Sequence, residues 1–227
     1  MGRGRIALAA RRQGGIVFEI IDLTQPLPQE AHSYPGDDLA YRAETTPIVN
    51  ASGVVTRLVQ YELHSGTHMD APLHFAPNGI DIANVPLRIL PAHVVTVGAR
   101  RIDTTDVPDV CKGLAILFHT GWDRHVGQTA YFSDYPFLTA AAAQILVDRN
   151  AALVGLDTPS VDDRTDSAWY PAHRTLCAAG VPIVEGLVNL QAVLNASRSL
   201  YFAAFPIPFG GIEASPVRAV AFVDTAD

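Results

Sequence analysis

Short apolar runs recur along the chain, separated by proline, glycine and polar residues. Runs rich in β-branched and aromatic side chains that are bounded by such breakers predict short β-strands. The predicted strands cover residues 16–23, 54–64, 93–98, 114–120, 151–156, 181–184, 199–207 and 218–224. The pattern therefore favours a β-rich chain.

Two segments carry helix signals instead. Residues 138–150 combine an alanine run with apolar positions at helical spacing, and Thr139 is placed to cap the first turn. Residues 171–179 begin at Pro171 and end before Gly180, which are the residue types favoured at a helix start and just past a helix end. Together the elements predict an α/β, β-rich fold in one domain spanning residues 16–227.

Composition limits the classes of partner. The chain has 227 residues, 48% of them hydrophobic and 17% charged, which is typical of one globular domain with its own core. Its net charge of -7 argues against nucleic-acid binding. Residues 1–15 surround a short apolar run with arginines, and that run is too short for a signal-peptide core or a membrane span. We expect residues 1–15 to be a flexible extension, with a targeting role as the lesser alternative, and expect no membrane partner.

The chain has two cysteines, Cys111 and Cys177, which do not make a disulfide framework. Their neighbours are apolar, which favours buried free thiols. Free thiols fit a reducing compartment, so we expect a cytoplasmic protein.

One segment, residues 64–74, holds three of the chain's eight histidines together with an aspartate. His64, His68, Asp70 and His74 stand at even offsets, so an extended chain directs all four side chains to one face. A helix would place Asp70 about 240° around from His64. A glycine and a proline inside the segment also disfavour a helix. The spacing predicts a strand that ends in a tight loop.

The residue types of this segment are those of a metal site. Imidazole nitrogen and carboxylate oxygen suit a divalent cation such as Zn or Mn, and two histidines with one aspartate leave positions open for water. His74 is a candidate to accept and return a proton, because imidazole titrates near neutral pH. The alternative is a set of histidines satisfied by backbone hydrogen bonds, against which the density of the cluster argues.

The pattern His-x-Gly-Thr-His-x-Asp-x-Pro-x-His over residues 64–74 resembles the signature of the cyclase family of metal-dependent hydrolases. That family includes bacterial kynurenine formamidase and isatin hydrolase. Segments 22–27, 34–37, 155–162 and 215–220 resemble other blocks of the family, so the resemblance runs from about residue 16 to the end. It implies a swivelling β/β/α architecture and, as in the family, a homodimer or homotetramer.

The resemblance also implies the rest of the site. His173 and Glu185 are twelve residues apart, and that spacing alone is weak support for a site. In kynurenine formamidases a histidine and a glutamate with this separation complete a two-metal centre. The resemblance therefore implies that His64, His68, Asp70, His173 and Glu185 are metal ligands, with Asp70 bridging two ions. Isatin hydrolase-like members use one ion, so retention of both later residues favours two.

The function implied by the resemblance is hydrolysis of carbon–nitrogen amide bonds by metal-activated water, with His74 as general acid and base. An arylformamidase acting on a small-molecule amide is one form of this function, and a lactam or lactone hydrolase like isatin hydrolase is the alternative. A third possibility is a non-catalytic metal-binding module. Tyr34 stands in a loop rich in proline, where it is a candidate either to line the substrate pocket or simply to pack under the loop. Formamidases usually place Trp at this position. Residues 120–124 resemble other branches of the family, which leaves the substrate open.

Overall fold

The structure is a computed structural model that describes residues 18–26, 46–49, 51–59, 62–166, 168–194 and 199–224. Tyr34 and the predicted extension of residues 1–15 lie outside these described residues, so their predicted roles stay predictions.

Short strands dominate the architecture. They are β1 (Phe18–Asp22), β2 (Thr46–Val49), β3 (Val55–Leu58), β4 (His68–Asp70), β5 (Leu90–Thr96), β6 (Arg101–Ile102), β7 (Ala115–His119), β8 (Phe137–Leu138), β9 (Leu153–Leu156), β10 (Ile183–Glu185), β11 (Leu200–Pro206) and β12 (Ala214–Asp224). Eight of them form one mixed sheet in the order β1-β12-β11-β5-β7-β9-β10-β4. Strand β4 also pairs with β12, so the sheet curves back on itself into a barrel-like arrangement. The pairs β2–β3 and β6–β8 form separate two-stranded sheets.

Helices cover part of this sheet. They are α1 (Ala140–Asp148), α2 (Pro171–Ala178) and α3 (Leu190–Leu194). The Thr139 hydroxyl accepts a hydrogen bond from the backbone N–H of Ala142 and so caps α1, as the sequence predicts. Helix α2 starts at Pro171 and ends close to Gly180, also as predicted. Short 3-10 helices at 72–74, 82–84, 104–106, 122–125 and 129–132 connect the larger elements.

The core has two parts, one on each face of the sheet. Successive side chains of a strand point to opposite faces, and β7 follows this rule: Leu117 enters one hydrophobic cluster, while Ile116 and Phe118 enter the other. The second cluster also contains the apolar faces of α1 and α2. Strand β7 is buried on both faces, which explains why its sequence is a continuous apolar run.

The central part of the sheet is parallel: β5 pairs with β7, β7 with β9, and β9 with β10. Strand β4 is antiparallel to both of its neighbours. Its register sets Glu185 directly opposite His68 on one side and Ala214 opposite Asp70 on the other. The pairing therefore brings residues more than a hundred positions apart to one strand of three residues.

Most predicted elements are present, with shifted ends. The structure confirms an α/β, β-rich single domain. The predicted strand 54–64 is wrong in its second half, because β3 ends at Leu58 and His64 lies in a turn. Cys111 and Cys177 are buried free thiols, as expected. Among the described residues, no helix has the length and apolar character needed to cross a bilayer.

Candidate metal centre

The loop before β4 brings His64 to the site. The side chain of Glu62 accepts hydrogen bonds from the His64 backbone N–H and from the Ser65 hydroxyl, at 2.9 and 3.0 Å. Gly66 follows with φ of 66°, a left-handed conformation that glycine adopts without steric cost. The chain therefore reverses between His64 and His68 instead of running extended.

The residues after this loop continue the convergence by a different route. His68 and Asp70 are the two ends of β4 and share one face of the sheet, as their even spacing predicts. The strand then gives way to a 3-10 helix over Pro72–His74, which carries His74. The extended-chain explanation is therefore right for His68 and Asp70 and wrong for His64 and His74, which a turn and a helix bring to the same place.

Asp70 lies at the centre of the cluster and is fully buried. Its Oδ1 is 2.9 Å from Nδ1 of His64 and 3.5 Å from Nε2 of His68. Its Oδ2 is 3.3 Å from Nε2 of His173. One carboxylate thus faces three imidazoles from three different elements.

Glu185 closes the other side of the cluster. It ends β10, and its two oxygens lie 3.4 Å from Nε2 of His68 and 3.3 Å from Nε2 of His173. The backbone N–H of Val161 donates to Glu185 Oε1 at 2.6 Å and holds the carboxylate in place. The five side chains that the family resemblance implies as ligands therefore do converge.

Two sets of possible ligand atoms overlap at Asp70. One set is His64, Asp70 and His74, and the other is His68, Asp70 and Glu185, with the ligand atoms of each set within 4.8 Å of one another. Membership of His74 in the first set is compatible with a ligand role as well as with the predicted proton-transfer role.

Several polar atoms at this point of convergence have no hydrogen bond. Both oxygens of Asp70 and Nε2 of His68 are buried, and their close contacts lack hydrogen-bond geometry. Buried polar atoms without partners cost free energy, and native proteins satisfy nearly all of them. Lone pairs that converge on one point repel one another, and a cation bound at that point removes the repulsion.

Charge interactions within the cluster shift several pKa values. Burial disfavours a charge on His64, but the carboxylates of Asp70, Glu213 and Glu62 together outweigh burial and raise the pKa of His64 to about 10. Burial also disfavours a charge on His68 and His173, yet their pKa values are raised as well. The largest cause that raises the pKa is the Asp70 carboxylate for His68 and the Glu185 carboxylate for His173. The imidazoles in turn hold the pKa of Asp70 well below its ordinary value despite its burial.

His74 behaves in the opposite way. Burial, together with the positive charges of His64 and His173, lowers the pKa of His74 to about 4 despite the attraction of Asp70. Its ring lies tilted over that of His64, with centroids 4.4 Å apart. The ring of Phe75 contacts it edge-on at 4.5 Å and forms an apolar wall beside it. His74 is therefore neutral near pH 7.

Sequence alone allows two roles for the polar residues that follow β9. Asp162, Asp157 and Ser160 are candidates both for supporting the histidines and for turns. Asp162 does the former, since its Oδ2 accepts from Nδ1 of His173 at 2.7 Å. Asp157 instead accepts from the backbone of Thr120 and Gly121.

Sequence alone leaves two roles open for Glu213, an ion pair with Arg218 or a place in the wall of the site, and the structure places it beside His64. It precedes β12, and its Oε1 lies 3.5 Å from Nε2 of His64. Its distance in sequence from the 64–74 segment hides this contact until the register of β12 against β4 is known. Arg218, which sequence alone allows as an ion-pair partner of Glu213, instead pairs with Asp22 at 2.6 Å.

Comparisons with known proteins agree with the chemistry of this cluster. Residues 21–163 match the family model described as "Putative cyclase". The chain is 33% identical over 209 residues to a kynurenine formamidase of Geobacillus thermodenitrificans, covering 88% of this chain and 95% of that protein.

Solved structures show the same fold. A predicted metal-dependent hydrolase from Bacillus stearothermophilus matches with a TM-score of 0.72 and 26% identity, over 91% of this chain and 98% of that one. Isatin hydrolase A from Labrenzia aggregata matches with a TM-score of 0.77 at 22% identity, over 91% and 94% of the two chains. The His, Asp and Glu cluster, together with the similarity to the metal-dependent hydrolase from Bacillus stearothermophilus, supports a divalent metal ion. The chain belongs to the cyclase family of metal-dependent hydrolases.

Proposed function

We propose that this hydrolase cleaves carbon–nitrogen amide bonds, in the manner of an arylformamidase that releases formate from an N-formyl arylamine. The similarity to kynurenine formamidases over nearly the whole chain supports this reaction class. The observation that carries the proposal is the convergence of three imidazoles on the buried Asp70 carboxylate, with Glu185 in contact with two of them.

We assign the metal ligands from this convergence as His64, His68, Asp70, His173 and Glu185. Asp70 has contacts on both oxygens, which supports a bridging role between two ions. The mixed nitrogen and oxygen donors suit zinc, with manganese as the alternative. Both oxygens of Asp70 and Nε2 of His68 are buried without a hydrogen-bond partner, and bound cations would give each of these atoms a partner. This supports the assignment of Asp70 and His68 as ligands.

When bound, a divalent cation supplies a water of lowered pKa and polarises a carbonyl oxygen. The chain's own residues do the rest. His74 is neutral at pH 7 and accepts a proton as water adds to the amide carbon. The carbon–nitrogen bond then breaks, the nitrogen takes the proton from His74, and the carboxylic acid product releases its remaining proton to water.

The low pKa of His74 suits the second half of this reaction. An amine or aniline nitrogen leaves poorly unless it is protonated, and a protonated imidazole with a pKa of about 4 is a strong proton donor. The same neighbours that make His74 a weak base in the resting site therefore make it an effective acid when the leaving group departs.

The surroundings of His74 support an aromatic substrate. The rings of Phe75 and Tyr170 lie 5.4 Å apart, and both contact the ring of His173. Such a wall accepts an aryl group beside the metal centre. A lactam or lactone hydrolase needs the same ligands and the same proton donor, so the substrate must be decided by assay.

We propose a single catalytic domain over residues 16–227 with residues 1–15 as an extension, Tyr34 as part of the substrate pocket, and a homodimer or homotetramer in the cytoplasm. Light scattering of the purified protein measures the subunit number, and cell fractionation measures the location.

Metal analysis coupled to a hydrolysis screen tests the proposed function. The purified chain is assayed, with zinc and then with manganese, on an N-formyl arylamine, an alkyl formamide, a lactam and a lactone. We expect about two ions per chain and turnover of the N-formyl arylamine. Turnover of the lactam or lactone alone selects the alternative, and metal binding without turnover of any substrate selects the binding module.

A further inference from the structure

The three imidazoles assigned as ligands, those of His64, His68 and His173, share one arrangement. Each directs one ring nitrogen to the carboxylates at the centre and presents the other to an oxygen atom outside it. Nδ1 of His68 lies 3.1 Å from the carbonyl oxygen of Gly66, and Nδ1 of His173 lies 2.7 Å from Oδ2 of Asp162. Both oxygens accept from Nδ1, so Nε2 is the nitrogen of each ring that gives up its proton when a cation binds.

In His64 the two ring nitrogens exchange these positions. Its Nδ1 faces the centre, 2.9 Å from Oδ1 of Asp70, and its Nε2 is the outward nitrogen. The oxygen atom facing Nε2 belongs to Glu213, at 3.5 Å. His64 is thus the one imidazole of these three that meets the centre through Nδ1, and Glu213 occupies the place that Gly66 and Asp162 hold for the others.

We propose that Glu213 is the positioning residue for His64: its carboxylate keeps the proton on Nε2 and so leaves Nδ1 as the metal-binding nitrogen. The inference rests on the ligand assignment in the proposed function. A carboxylate on the outward nitrogen of a ligand histidine fixes the ring and makes the other nitrogen a better donor.

The backbone fixes Glu213 in this position. Its carbonyl oxygen accepts a hydrogen bond from the N–H of Ala71 at 2.8 Å, and the next residue, Ala214, pairs with Asp70. The base of the Glu213 side chain is therefore anchored beside the central carboxylate. Any change in the pairing of β12 with β4 moves Glu213 relative to His64.

The size of the effect follows from distance and exposure. The 3.5 Å contact is longer than an ordinary hydrogen bond, and the Glu213 side chain is 40% exposed, so water competes for it. Removal of such outer partners weakens metal binding about 10- to 100-fold. For loss of the Glu213 carboxylate we expect the lower end of this range, about 10-fold. We expect a larger loss of zinc affinity when the carboxylate of buried Asp162 is removed.

The test is zinc titration of the metal-free full-length chain against a chelator of known affinity. The variants are Glu213→Gln, which keeps the size of the side chain and removes its charge, and Glu213→Asp, which keeps the charge. Asp109→Asn is the matched control, because it makes the same change in net charge at a side chain that is 98% exposed and paired with Arg149. Long-range proton–nitrogen NMR of the zinc-loaded wild type reads which nitrogen of His64 carries the proton.

We expect about 10-fold weaker zinc binding for Glu213→Gln, smaller loss for Glu213→Asp, and no change for Asp109→Asn. We also expect wild-type His64 to carry its proton on Nε2. Affinity of Glu213→Gln equal to that of the control, or a wild-type His64 with its proton on Nδ1, overturns the inference. If Glu213→Gln fails to fold, the NMR measurement on the wild type and the zinc affinity of Glu213→Asp test the role of Glu213 instead. A wild type that binds no zinc contradicts the proposed function itself, whereas normal wild-type binding with no effect at Glu213 contradicts this inference alone.

Discussion

Asp162 and His173 are joined by a contact of 2.7 Å between Oδ2 and Nδ1, and both side chains are buried. The same carboxylate accepts hydrogen bonds from the backbone N–H groups of Ala172 and His173, at 2.8 and 2.9 Å. Asp162 therefore orients the imidazole and caps the first turn of α2 at once. The position of His173 in the site depends on the position of the helix that carries it.

Replacement Asp162→Asn should weaken both functions of this carboxylate. We expect zinc affinity to fall about 10- to 100-fold, because His173 loses the partner that fixes its proton on Nδ1. We expect unfolding free energy to fall by about 3 kcal/mol, because buried donors of α2 lose a charged acceptor. Chelator competition and urea unfolding measure the two effects.

Asp163→Asn is the control for this variant, since it changes the net charge equally and Asp163 pairs with Arg100 instead. Zinc affinity of Asp162→Asn that matches the control would show that His173 is held by other contacts.

Replacement His74→Ala should separate catalysis from metal binding. We expect kcat to fall about 10²- to 10⁴-fold, as is typical for loss of a general acid and base, with the number of bound ions unchanged. His93→Ala on the exposed side of β5 is the control. Loss of an ion from His74→Ala, measured by metal analysis, would instead make His74 a ligand, a role that its place beside His64 and Asp70 allows.

Replacement Gly186→Ala should displace the loop that carries His64. Gly186 follows β10 with φ of 67°, and a Cβ there collides with the carbonyl of Gly66. Gly180→Ala is the matched control, with a similar φ of 77° and open space around the added methyl. We expect the control to lose about 1–2 kcal/mol of unfolding free energy from backbone strain alone.

The Gly186→Ala variant should lose clearly more unfolding free energy than this control. It should also bind zinc more weakly than the control does. Equal losses in urea unfolding for the two variants would mean that the close approach of the two loops is not needed for the fold.

Zinc binding should weaken as the pH falls. With its pKa raised to about 10, His64 carries a proton at neutral pH that a cation must displace. Each displaced proton changes the apparent affinity about tenfold per pH unit. In the metal-free chain the raised pKa of His64 affects the stability of the fold. Its contribution to the free energy of unfolding is complete below the ordinary pKa of 6.5 and is lost as the pH rises towards 10.

Calorimetric titration of zinc between about pH 6 and pH 8, in buffers with different ionisation enthalpies, measures the protons released. An affinity that stays flat over this range, with no proton release, would contradict the assignment of His64 as a ligand.

The 64–74 segment shows what sequence can predict and what it cannot. Residue types and even spacing identify the metal chemistry, and they place His68 and Asp70 on one face of a strand correctly. The same rule fails for His64 and His74, because a left-handed Gly66 and a 3-10 helix interrupt the extended chain on either side. Local pattern predicts the chemistry better than the route by which the backbone delivers it.

Contacts set by long-range register lie beyond a single sequence. Thr139 and Pro171 mark helix starts through local rules, and the structure confirms both starts. Glu213 reaches His64 only because β12 pairs with β4, a strand of three residues that closes the sheet. Nothing in the spacing of Glu213 from residues 64–74 signals this pairing.

X-ray diffraction from crystals of the zinc-loaded protein, collected at the zinc absorption edge, shows whether Asp70 lies between two metal ions. We expect anomalous peaks on either side of the Asp70 carboxylate, each in contact with imidazole nitrogens from His64, His68 or His173. An absence of peaks there in zinc-loaded crystals, or zinc bound only at other residues, would contradict the assignment of Asp70 as the bridging ligand.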